Sequence, residues 1–170
     1  MDLQTLSSIT GIVSSIAVTL SLIFVVVSIR QNTNSQKVLA VQSLASAITA
    51  INIPAMESPA LGEALFVATR DWQSATREQR ILAHFFLFSY FKLAETAWYQ
   101  HNSGVLEPGQ WHGWESVMRL FYHSGGVRRG WWPHRQSAYS PAFRDYLEST
   151  APPAGVGSLA DIFDPYGVGS

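Results

Sequence analysis

Between Ile9 and Ile29 the chain reads ITGIVSSIAVTLSLIFVVVSI, without a single charge. A helix rises about 1.5 Å per residue, so this stretch matches a bilayer's hydrocarbon core of about 30 Å. No other feature restricts the fold as strongly, because a single segment in lipid must satisfy its backbone polar groups internally, and only a helix does that. A signal peptide is the rival reading. The segment has no basic region ahead of it and is too long, and IRQNTNSQK follows in place of a small-residue cleavage site. We therefore expect an uncleaved transmembrane helix over residues 9–29, after a short N-terminal segment at 1–8.

Orientation follows from the flanking cations. Only Asp2 precedes the span, whereas Arg30 and Lys37 follow it. The N-terminus is expected outside, and the rest of the chain in the cytoplasm, at a bacterial inner membrane.

Only 14% of the 170 residues are charged, against about 25% in an ordinary soluble domain, while 47% are hydrophobic. The deficit fits a chain partly solvated by lipid. A net charge of −1 gives no global field to recruit nucleic acid or acidic substrates. With no cysteine, disulfides, thiolate catalysis and Cys-based zinc sites are excluded.

The span is two-faced. At about 100° per residue, Gly11, Ser14, Ser15, Ala17, Ser21 and Ser28 fall on one side. Ile16, Leu20, Ile23, Phe24 and Val27 fall on the other, with Ile9, Ile12 and Val13. Gly11, Ser15 and Thr19 also have the spacing of small residues that lets helix backbones approach closely. Serine is tolerated in membrane helices without purpose, but a plain anchor has no need of this asymmetry. The small face is expected to pack on an integral membrane protein or on a second copy of the chain.

Beyond the span, Val41, Leu44, Ile48 and Ile51 at 3-4-3 spacing form a packing stripe too short for a coiled coil. This juxtamembrane helix, residues 30–53, is expected to stop at Pro54. Helix starts then recur at Ser58-Pro59, at Thr76 with Gln79 as a capping box, at Glu107-Pro108 and at Ser140-Pro141. No segment alternates with period two, so residues 54–150 read as a helical bundle and 151–170 as a Pro/Gly-rich tail. Apolar and aromatic residues dominate Ile81–Trp98, yet His84, Lys92 and Glu95 interrupt the run. We read it as the central buried helix of the bundle.

Little looks like chemistry. His112 and Glu115 share a helical face, but a metal site in a bundle needs paired motifs and further carboxylates, so no metal is expected. Glu95 lies among Phe88, Phe91, Trp98 and Tyr99; burial would raise its pKa and make it a candidate acid, while a salt bridge with Lys92 or Arg119 is the plainer reading. SGGVRRGWWPHRQ, residues 124–136, concentrates Arg128, Arg129, Trp131, Trp132 and Arg135. Core packing of the tryptophans, with arginines pairing Glu107 or Asp145, competes with a lipid or partner surface, since Trp favours the headgroup level and Arg an anionic leaflet.

Taken in order, VSIRQNT, AETAWYQHNSGVLEPGQW, GVRRGWW and SPAFR resemble the motifs of a widespread family of bacterial single-pass membrane proteins with a small helical cytoplasmic domain. The matching positions are Gln31, Asn32, Thr33, Glu95, Tyr99, Gln100, Gly104, Leu106, Trp111, Trp131, Trp132, Ser140, Pro141, Phe143 and Arg144. The chain departs at Ala142, where the family has Glu, and at His134, where an acidic residue is common. The resemblance implies an inner-membrane, mostly helical protein and no activity.

The expectation is an all-α protein, a single transmembrane helix continuing into a small helical bundle. It is expected to serve as an accessory or scaffold subunit on a larger inner-membrane complex, for example respiratory or photosynthetic, without catalysis or cofactor. The alternative is a membrane-tethered ligand- or lipid-binding or catalytic domain using Glu95 and Arg128, Arg129 and Arg135. A pocket with Glu95 and other polar groups converging in it favours the alternative; a filled core favours the first.

Overall fold

The computed structural model describes residues 3–154, except for the side chains of residues 3–10, 12 and 13. Among the described residues there are helices and turns and no strand, so the chain is all-α. The tail expected at 151–170 lies outside the described residues from 155 onward.

The first helix, α1, runs Leu3–Glu57 without a break. Two expected boundaries are thereby corrected. Residues 3–8 are already helical, and Pro54 does not stop the helix but lies inside it. Pro54 withdraws one hydrogen bond from the last turn, where Ser58 N–H still reaches its carbonyl at 3.1 Å. The stop is Ser58, whose backbone is extended because a following proline disfavours helical geometry.

The chain divides into two compact units, residues 1–40 and 41–170. The helix continues from the span through residues 30–53, and the boundary between the units falls within that stretch, so its second half belongs to the bundle. Leu44 is a core residue, and Val41, Ile48 and Ile51 pack against the same core, so the stripe finds its partner within the chain.

Among the described residues the first unit is helix alone. Ile16, Leu20 and Phe24 are 54%, 61% and 72% exposed. Its hydroxyls turn back onto their own helix: Ser15 Oγ donates to the Gly11 carbonyl at 2.9 Å, Thr19 Oγ1 to Ser15 at 2.9 Å and Ser21 Oγ to Ala17 at 2.8 Å. Among the described residues one helix is long and apolar enough to cross a membrane, and it is this one.

In the second unit, α2 (Pro59–Arg70), α3 (Arg77–Asn102), α4 (Pro108–His123) and α5 (Pro141–Ser149) begin where their caps predict. Thr76 Oγ1 accepts from Gln79 N–H while the Gln79 side chain accepts from Thr76 N–H, which starts α3. The buried stripe of α3, from Ala83 through Leu87, Phe91 and Ala94 to Ala97, repeats every three or four residues and makes α3 the central helix. Ala64 and Ala68 of α2 are fully buried, as are Ala83, Ala94 and Ala97 of α3; side chains this small permit close helix packing. Phe91, Trp131 and Phe143 are sealed from solvent, and Phe91 lies 5.6 Å from the Trp131 ring and 5.5 Å from Trp132. Such pairs contribute about 0.5–1.5 kcal/mol each beyond their buried area.

Between α4 and α5 the chain tightens through irregular turns. Val127–Trp131 forms a π-helical turn closed by Trp132 N–H onto the Val127 carbonyl, and single 3-10 turns follow at Trp132–His134 and Gln136–Ala138. Gly126 and Gly130 lie where this segment meets its neighbours most closely. A Cβ on Gly126 would stand 2.0 Å from the Ala68 carbonyl oxygen, and one on Gly130 2.2 Å from Trp72 Cβ.

Candidate functional site

Glu95 is the one acid that the sequence places among aromatics, and its surroundings decide what it can do. Its side chain is 12% exposed, and Oε2 takes the Lys92 ammonium at 2.9 Å, three residues back on α3. The other oxygen accepts Ser140 N–H at 2.7 Å. Partial burial pushes the carboxyl upward, but the Ser140 and Lys92 hydrogen bonds outweigh it and hold the group below the ordinary glutamate range. The raised pKa that burial alone suggested is therefore corrected: Glu95 is a fixed carboxylate. Arg119, the other partner considered, instead donates to the Ala151 carbonyl at 2.9 and 2.7 Å.

The same corner joins residues from separate motifs. Tyr99 donates to Ser140 Oγ at 2.9 Å, and Ser140 Oγ also caps α5 through Phe143 N–H. Lys92 lies 4.5 Å over the Tyr139 ring and donates to the Ala138 carbonyl. Glu95, Tyr99 and the SPAFR segment thus form a latch that fastens α5 to α3. Trp111 stacks on His101 at 5.2 Å, and Gly104, with φ +72°, reverses the chain between them. These motif positions are architectural.

The basic cluster does not stay together. Trp131 and Trp132 are 1% and 3% exposed, so of the two readings weighed for them it is core packing that describes the indoles. The three arginines are exposed but separate. Arg128 donates to His123 Nδ1 at 3.2 Å and lies 5.7 Å over the Tyr122 ring. Arg129 folds toward Gly125 in a cleft that also contains Arg70 and Asp71. Arg135 lines another cavity with Arg77 and Arg80. None pairs Glu107 or Asp145, since Lys92–Glu95 is the one ion pair among the described residues.

Trp131 reaches that cavity through its polar edge. Its indole N–H donates to His84 Nδ1 at 3.0 Å, which leaves the neutral histidine its proton at Nε2. Burial, and then the nearby Arg135, hold His84 below the ordinary histidine pKa. His84 is a link the sequence reading missed; only its place on the buried helix hinted at it.

A second groove, of about 540 Å³, is mainly apolar, with Val41, Leu44 and Ile48 of α1 facing Phe86, Trp114 and Phe121. Tyr90 also lines it, and its buried hydroxyl has no hydrogen-bond partner among the described residues. Glu95 lines neither this groove nor the arginine cavity. His112 is exposed, while Glu115 accepts the Tyr146 hydroxyl at 2.8 Å. Among the described residues no three His, Asp or Glu side chains gather as a metal site would require.

On α1, Gly11, Ser14, Ser15, Ala17 and Ser21 are exposed and Ser28 is half-buried. Ile16, Leu20, Ile23, Phe24 and Val27 of the opposite side are exposed as well, while the side chains of Ile9, Ile12 and Val13 lie outside the described ones. No family model, curated protein or solved structure matches this chain.

Proposed function

We propose that this chain is a non-enzymatic, membrane-anchored helical module, an accessory or scaffold subunit that packs the small face of α1 on a larger inner-membrane complex. Its N-terminus lies outside and its bundle in the cytoplasm. The observation that carries the reading is the use made of Glu95. The acid best placed by sequence for chemistry is consumed in the latch between α3 and α5, and it lines neither the apolar groove, nor the arginine cavity, nor the Arg129 cleft. The filled aromatic core supports the same reading, because it provides a rigid body without a reacting centre.

The test is replacement of Gly11 and Ser15 together by isoleucine in the full chain. Both changes add hydrophobicity, so insertion and the bundle are retained, while close backbone approach at that face is blocked. Release of the proteins that co-purify in mild detergent is the expected result, with Ile16→Leu on the opposite side as the neutral control. Unchanged co-purification would reduce α1 to a plain anchor and overturn the proposal.

A further inference from the structure

The cavity of about 560 Å³ beside His84 brings cations together without a counter-charge. Arg77 and Arg80 come from the first turn of α3, and Arg135 arrives from the turns after Trp132, beyond the whole of α4. No carboxylate lines the cavity, and among the described residues none of the three guanidinium groups makes a hydrogen bond or ion pair. Converging like charges repel, and the arrangement becomes favourable when an anion sits between them. A guanidinium presents a planar fork of donors that fits phosphate oxygens in pairs. His84, with Nδ1 committed to Trp131, keeps one further donor at Nε2.

The walls specify what the anion is attached to. Ile81 and Phe85 line the same cavity and are 43% and 65% exposed, and the Trp72 indole closes another side half-buried. Free phosphate has no use for such a surface. An amphiphile does, since its charged end meets the guanidinium groups while its first apolar carbons cover the exposed side chains. Arginine and tryptophan at headgroup level are the ordinary means by which proteins engage anionic lipid.

We propose that this cavity binds the headgroup phosphate of an anionic phospholipid, held by Arg77, Arg80 and Arg135, with Ile81 and Phe85 against its glycerol and first acyl carbons. The proposal rests on the membrane-anchored reading for its supply of lipid, but its test does not. The full chain, in uncharged detergent, is titrated with short-chain phosphatidylglycerol, short-chain phosphatidylcholine and inorganic phosphate while tryptophan fluorescence is followed; Trp72 and Trp131 border the cavity. Phosphatidylglycerol is expected to give a saturable change with an apparent Kd at least about tenfold below those of the other two. Arg80→Gln with Arg135→Gln is expected to weaken it at least about tenfold with the thermal melt unchanged. The single change Arg77→Gln, at an exposed side chain, serves if the double variant fails to fold, and Arg128→Gln, outside the cavity, leaves affinity as it was. Equal affinity for phosphatidylcholine or for inorganic phosphate, no saturable change, or arginine variants that bind like the native chain would each overturn the proposal. None of these results depends on a protein partner, so failure here and failure of the co-purification test are separable.

Discussion

Replacing Gly126 by alanine adds one methyl group at the tightest approach in the bundle. In an open helical position the exchange is favourable by up to about 1 kcal/mol, because glycine loses more backbone entropy on folding. Gly62 in α2 and Gly113 in α4, with nothing within 4 Å of an added Cβ, supply that baseline. At Gly126 the new carbon would stand 2.0 Å from the Ala68 carbonyl oxygen and 2.9 Å from both the carbonyl carbon and oxygen of Thr69. All three are backbone atoms that no rotamer change removes. Real Cβ contacts essentially never fall below 3.0 Å, so the two segments must separate by at least 1.0 Å, the difference between 3.0 and 2.0. A gap of that size forfeits about a quarter to a half of each dispersion contact across it, and overpacking of this kind costs about 1–3 kcal/mol. Gly126→Ala should therefore destabilise by about 2 kcal/mol or more. Gly130→Ala should cost about as much, because Trp72 Cβ, 2.2 Å from the added carbon, is held by its backbone and no rotamer change moves it; Gly125→Ala should cost least of the three, because its nearest obstacle is the movable end of Arg129 at 2.8 Å, with the Arg70 carbonyl oxygen at 3.2 Å. Urea unfolding of the full chain in detergent, followed by tryptophan fluorescence at constant m, ranks the four variants. If Gly126→Ala lies within about 0.5 kcal/mol of Gly62→Ala, the contact between α2 and the 125–131 segment is not what holds this region together.

Three further outcomes are expected. Burial first, with nearby arginines adding to it, holds both His84 and His123 below the ordinary value of about 6.5; the unfolded chain binds those protons first, so the thermal midpoint should fall as pH drops below about 6.5. His84→Leu should flatten part of that slope and cost about 1–3 kcal/mol at pH 8, because the buried Trp131 N–H loses its acceptor; an unchanged melt would refute the link. Glu95→Ala should cost about 1–3 kcal/mol through the latch, while Glu95→Gln, whose amide oxygen still accepts from Ser140 N–H, should cost clearly less by the same melt. Equal losses from the two would mean that the carboxylate acts by holding Lys92 at Ala138 and Tyr139, and not through the Ser140 hydrogen bond.

What was legible in the sequence was what local chemistry determines. Serine or threonine ahead of a proline or a capping glutamine marked the starts of α2, α3 and α5, and the uncharged run of α1 declared itself by length. Pro54 misled because an interior proline weakens the turn before it without having to end the helix, and here the chain runs one turn further, closed by Ser58 N–H onto the Pro54 carbonyl. The arginines misled for a different reason. Neighbours in sequence, they sit on a π-helical turn followed by 3-10 turns, whose side-chain directions follow neither the helical nor the strand period, so Arg128, Arg129 and Arg135 leave in three directions. Their companions Arg77 and Arg80 lie far upstream, at the start of α3, and nothing local to either segment announces the meeting. The aromatic identity of Trp131 and Trp132 was plain, but whether they face a bilayer or a core depends on α3, and only the folded chain answers that.

The hydroxyls of α1 that turn back onto its own carbonyls bear on the order in which an assembly can be built. A hydroxyl bonded within its own helix exposes little unsatisfied polarity to hydrocarbon, so on the membrane-anchored reading proposed above a single copy of this helix would be stable in lipid before any neighbour arrives. On that reading, synthesis of the chain and of a partner would not need to be matched in time or amount. Association of such a helix, as proposed above, would rest on shape, and shape-based contacts in lipid can be left and re-entered.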